Sequence, residues 1–131
     1  MMATTEEEQQ MPVSLSVPAS ASFARPVRML AANLAVLAGL SVDGVEDVRM
    51  AAEEAFVWCC ATKPEACEVS FDTSGDALTM TFALGEAEPE DDQIATYAEL
   101  ILTAVCDECE LDDEAHTLSL TLQKNVNALD A

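Results

Sequence analysis

The sequence predicts an α/β two-layer sandwich, helices laid on a mixed, mostly antiparallel sheet. Three observations predict it. Ala77 to Leu84 alternates strictly, with Leu78, Met80, Phe82 and Leu84 on one face and Thr79 and Thr81 on the other, the period of a half-buried strand. Val45, Val48, Ala52, Ala55 and Cys59 recur at helical spacing. The segments run strand, helix, helix, strand, strand, helix, a short strand and a last strand, with no internal repeat and no linker.

Taken in order, residues 1–11 read as an acidic disordered tail. Val13-Ser14-Leu15-Ser16-Val17 alternates as a strand and Pro18 ends it. The first helix opens with cap-like Ser20 and Ser22 and tolerates Pro26 in its first turn, where the amide has no intrahelical acceptor. Val27, Leu30, Leu34 and Leu37 form its apolar face, widened by Val36 and Ala38, and Gly39 stops it. The second helix is capped by Asp43, with Glu46 completing a capping box. Asp47, Ala51, Glu54 and Trp58 form a stripe beside its buried one, so Glu54 and Trp58 project from one side a turn apart. Pro64 closes it.

Cys67 to Thr73 and Ala77 to Leu84 make a hairpin around Ser74-Gly75-Asp76. GEAEPEDD, residues 85–92, is an acidic loop. The third helix spans roughly residues 92–108, with Ile94, Tyr97, Ala98, Ile101, Leu102 and Val105 as its apolar face. A short strand lies near residues 109–111. Leu118, Leu120 and Leu122 mark the last strand, which Lys124 ends. One domain over residues 12–126 and a C-terminal tail over 127–131 account for the chain.

At 131 residues the length suits one core. Five Lys and Arg stand against 25 Asp and Glu, a formal charge of -20. Such a surface repels nucleic acid and anionic membranes and favours basic protein partners. The N-terminus has no apolar leader region. Val27 to Leu40, the longest mostly apolar run, is too short to span a bilayer. A cytoplasmic protein with free thiols at Cys59, Cys60, Cys67, Cys106 and Cys109 is expected.

LSVPASASFARPVRMLAANLAVLAGLSVDGVEDVRMAAEEA resembles the start of the bacterial anti-sigma regulatory factors, small serine-protein kinases with the histidine-kinase-like ATPase fold. AELILTAVCDECEL resembles the family's last helix and its exit, and HTLSLTLQK its closing strand, which carries Thr117. The resemblance covers roughly residues 13–124. It implies that fold, Mg-ATP or Mg-ADP as cofactor, Glu54 as the catalytic base and Gly85 and Thr117 at the nucleotide. It also implies a role in transcription regulation, with a sigma factor or an anti-anti-sigma-like protein as partner and dimerisation through the first helix. Arg25 and Arg28 on that helix match the family's partner-contacting region, Arg25 more closely.

The family's chemistry needs a carboxylate for the attacking hydroxyl and, one helical turn later, an Asn whose neutral oxygen ligates Mg²⁺. Glu54 supplies the first. The Asn position holds Trp58, which cannot ligate magnesium, and the following His falls near Thr62 and is missing. Phe82 or Leu84 stands where an Asp reads adenine, only Gly85 remains of the glycines after it, and EAEPEDDQ replaces the loop that covers the phosphates, setting carboxylates against them. These departures predict a degenerate nucleotide site and no cofactor, leaving a non-catalytic regulator that works by protein contact. An active serine-protein kinase is the alternative.

The remaining candidates each carry a plainer reading. Glu54 is a vestigial base or an ordinary helix carboxylate. Trp58 plugs the former cavity or is simply core. Arg25 and Arg28 meet a partner or offset nearby acids. Cys106-Asp107-Glu108-Cys109 is a CxxC that suits zinc or redox chemistry, the third functional alternative, although buried free thiols explain it as well. His116 reads as surface.

Overall fold

The computed structural model describes residues 12–75, 77–90 and 92–123. The tails expected over residues 1–11 and 127–131 lie outside these, as do Asp76 of the hairpin turn and Lys124 at the end of the last strand.

The order of elements is the one the sequence predicts. Strand β1 (Val13–Val17) leads through a 3-10 turn (Ala21–Phe23) to helix α1 (Ala24–Ala38) and helix α2 (Val42–Ala61). Strands β2 (Cys67–Asp72) and β3 (Ala77–Ala83), helix α3 (Asp92–Val105), and strands β4 (Glu108–Asp112) and β5 (Thr117–Gln123) follow. The strands form one five-stranded sheet in the order β1-β2-β3-β5-β4. Every pairing in it is antiparallel, so the parallel component expected of a mixed sheet is not there.

One face of the sheet is covered. Cys67, Val69 and Phe71 of β2, Leu78, Met80 and Phe82 of β3, and Leu118, Leu120 and Leu122 of β5 are all buried. Register explains the alignment of these rows: Met80 stands opposite Phe71 on one side and Leu120 on the other. The other face carries hydroxyls, with Thr81 against Ser119 at 3.2 Å and Thr79 against Thr121 at 3.4 Å. Helix α2 is the hub of the covered layer, touching α1, α3, β2, β3 and β5.

The helices correct several expectations. The cap of α2 is Ser41, whose Oγ accepts from the Gly44 amide at 3.0 Å, and Asp43 sits in the first turn instead. Ser41 wins because its extended backbone lets the hydroxyl reach that amide. In α1 the buried residues are Val27, Ala31, Leu34 and Ala35. Val36 and Leu37 face outward, Leu37 at 81% exposure, because small Ala31 and Ala35 bring α1 close and turn the helix around that alanine seam. Gly39 does stop α1, at φ 89°, a left-handed conformation that a side chain would oppose. Phe56 joins the buried set of α2 and is fully covered, while Val45 is only half-buried. On α3 Ala98 and Leu102 are buried but Tyr97 is 59% exposed. Helix α3 ends at Val105, and β4 takes the residues from Glu108 onward.

Candidate functional site

Glu54 and Trp58 leave the same side of α2, yet they end in different surroundings. Trp58 is buried within the core cluster. Glu54 is half-buried and lines a groove of about 310 Å³ with Arg28, Glu46, Arg49, Met50 and Glu53. Burial pushes its carboxyl pKa up, and Glu53 beside it pushes the same way. A carboxyl held toward its neutral form is a better proton acceptor, but the groups around it are side chains of the α1–α2 surface.

Gly85 sits where β3 leaves the sheet, and a buried threonine holds it. Thr62, the C-cap of α2, is the buried polar residue of the described chain at 5% exposure. Its hydroxyl donates to the Cys59 carbonyl at 2.6 Å and accepts from the Gly85 amide at 2.7 Å. Its own carbonyl accepts from the Ala87 amide at 3.1 Å. A Cβ at position 85 would overlap that carbonyl and lie 2.6 Å from the Pro64 nitrogen. So a glycine is required here for close approach of two backbones. Farther out, Lys63, itself at φ 56°, reaches Glu90 at 3.3 Å. The loop after β3 is thereby strapped to the end of α2.

Trp58 is a buried indole with no oxygen to offer a metal. The Gly85 amide is bonded to Thr62. The carboxylates of Glu86, Glu88 and Glu90 follow directly. Thr117 is not brought to this place either. It lines a depression on the open face of the sheet with Ser14, Ser16, Glu68, Ser70 and Thr81.

Arg25 and Arg28 do come together, and the structure adds Arg49 to them. With Met29, Ala32 and Asn33 they line a depression of about 270 Å³ between α1 and α2. Arg28 Nη1 meets Glu53 Oε1 at 2.8 Å and stitches the two helices, and Arg49 pairs with Glu46 at 3.3 Å. Arg25 is exposed and makes no ion pair among the described residues. Three of the chain's five Lys and Arg thus share one surface. Arg49 was findable from its helical spacing to Glu46 and Glu53, but its meeting with Arg28 required knowing how the helices cross.

The thiols fall into two groups. Cys59 and Cys67 are fully buried and Cys60 half-buried at the junction of α2 and β2. Cys106 is half-buried and Cys109 exposed on β4. Burial, with Cys109, Asp107 and Asp47 adding like charge, pushes the Cys106 thiol up to about 12. It is protonated at neutral pH and a poor nucleophile. Among the described residues no three His, Cys, Asp or Glu side chains are grouped to hold a metal ion. His116 is exposed, at φ 55° in the β4–β5 turn.

Among known proteins, the fold has solved counterparts. The crystal structure of the RsbU and RsbW domains of Rv1364c from Mycobacterium tuberculosis superposes with a TM-score of 0.60 at 15% identity. The match covers 86% of this chain and 31% of that one, so this chain spans under a third of its neighbour's length. At this identity the likeness shows the fold alone, helices laid on one face of an antiparallel sheet. No family model matches the sequence, and no curated protein does. Among the described residues no helix is long and apolar enough to cross a membrane.

Proposed function

We propose that this protein is an anti-sigma-factor-like regulator of bacterial transcription that acts through protein–protein contact, with the fold of the serine-protein kinases retained and the nucleotide site lost. The observation that carries the reading is the burial of Trp58 at the position where the chemistry needs a metal-ligating Asn. The Thr62 strap on Gly85 supports it from the other side of the same place. The likeness of fold to a structure containing an RsbW domain supports the regulatory class.

The arginine surface between α1 and α2 is the partner-facing region in this reading. Arg25, exposed and without an ion pair among the described residues, would meet an acidic group of a sigma factor or an anti-anti-sigma-like protein. Met29 beside it and Met50 in the adjoining groove are both exposed and offer adaptable apolar contact. Work in the cytoplasm follows from such partners.

The test uses the chain's single tryptophan. Mg-ATP and Mg-ADP are titrated while Trp58 emission and the melting temperature are recorded. No saturable change up to millimolar nucleotide is expected. A rise of several degrees at sub-millimolar nucleotide would mean that the site binds, and would restore the active kinase with Glu54 as its base.

A further inference from the structure

Strand β4 is one edge of the sheet. It pairs with β5 and, among the described residues, has no strand on its other side. Alternate amides and carbonyls along such an edge are left for another chain to pair. Each of the other strands has covered residues, whereas all of β4 is exposed.

The strand also alternates in character. Glu108, Glu110 and Asp112 stand opposite Thr121, Ser119 and Thr117, the hydroxyl row of the open face. Cys109 and Leu111 stand opposite Leu120 and Leu118, which are fully buried. Opposed residues of an antiparallel pair share a face, so Cys109 and Leu111 point to the covered side. The helix layer stops short of them: Leu111 is 44% exposed, and Cys109 is exposed as well.

We propose that the β4 edge takes an extended segment of a partner protein as a sixth strand, one that alternates Lys or Arg with apolar residues. The backbone of that segment pairs with the free edge. Its cations lie beside Glu108 and Glu110, and its apolar residues extend the covered face over Leu111 and Cys109. Asp112 contributes less, because its Oδ1 already accepts the Glu114 and Ala115 amides.

Charge decides the occupant. No Lys or Arg lies between residues 64 and 123, and none of the ion pairs of the described residues involves Glu108 or Glu110. A second copy is a poor fit. Two β4 strands paired antiparallel about a two-fold axis would set the Glu108, Glu110 and Asp112 rows against one another, and like charges directly opposite are destabilising. Cations at alternate positions turn the same row from repulsive to attractive. This edge belongs to β4 and is acidic, so it does not depend on the function proposed for the arginine surface of α1 and α2.

The probe is a capped synthetic peptide of about six residues alternating Lys and Val, added to the full chain labelled with nitrogen-15. Saturable amide shifts confined to β4 and its neighbour β5 are expected, with slowed hydrogen exchange along β4. An isomer of the same composition with Lys and Val in separate blocks should bind at least about tenfold more weakly. The alternating peptide should weaken as much against the chain carrying Glu108→Lys and Glu110→Lys. Equal binding of the two isomers would reduce the effect to charge attraction and overturn the proposal. Shifts centred on other elements, or none that saturate at millimolar peptide, would do the same. A dimer of the free chain that Leu111→Arg disperses would give the edge to a second copy, again overturning it. The two isomers on the parent chain decide the matter even if a variant fails to fold.

Discussion

Replacing Thr62 by Val keeps the side-chain shape and removes the hydroxyl. That hydroxyl bridges the Cys59 carbonyl at 2.6 Å and the Gly85 amide at 2.7 Å. The two losses are unequal. The Cys59 carbonyl also accepts from the Thr62 amide at 3.1 Å, so it keeps a partner. Among the described residues the Gly85 amide finds no other acceptor, and the residue is packed on the backbone of residues 62–64. A donor left unpaired in such a place costs about 1–3 kcal/mol. For a domain of this size that lowers the melting temperature by roughly 4–12 °C. Urea unfolding, followed by far-UV circular dichroism, measures it directly. The midpoint should fall while the slope m stays constant. Thr62→Ser keeps the hydroxyl and loses only a methyl, so it should be milder by at least half. Stability of Thr62→Val within about 0.5 kcal/mol of the parent would refute the strap as the element that holds the loop.

Three further outcomes follow from the geometry. Phe56→Ala, at a fully buried site, should cost about 3–5 kcal/mol in urea unfolding. Val57→Ala next to it, at 41% exposure, should change stability by under about 1 kcal/mol. The Asp47 carboxyl has its pKa raised by burial first and then by Asp43, Asp107 and Glu46. A folded pKa above the ordinary 3.8 means that the native state binds the extra proton, so this group's contribution to stability falls as pH rises from 3.8 through the folded value. Asp47→Asn should flatten that part of the pH–stability profile and leave the protein at least as stable at pH 7. Asp72 is the control of opposite sign. The Ser74 amide and hydroxyl hold its pKa down, so its contribution is full above 3.8 and is lost as pH falls through the lower folded value. Finally, Arg25→Glu should leave the melting temperature within about 2 °C, since an exposed, unpaired side chain carries little stability. It should also abolish capture of an acidic partner, and unchanged binding would remove the arginine surface from the proposed function.

Much of the fold was legible because period-2 and helical patterns report burial directly. β3 is the clearest case: Leu78, Met80 and Phe82 are buried just as their alternation requires. The misses occur where more than one position could serve. Ser41 and Asp43 are both good caps, and only backbone direction chooses between them. Leu37 and Tyr97 fit an apolar stripe but lie at its edge, and the angle at which each helix meets its neighbours turns them to solvent.

The sequence by itself determined the order of elements, the acidic character of the surface and the alternation that buries one face of β3. Those are properties of residue type and local spacing. Tertiary structure decided the rest, because each remaining feature joins positions far apart in the chain. Thr62 meets Gly85 across 23 residues and Arg28 meets Glu53 across 25. Cys59 Sγ meets the Ala83 carbonyl across 24 residues because α2 packs its last turn on the end of β3. No local period encodes such meetings; the packing of α2 against the sheet and α1 creates them.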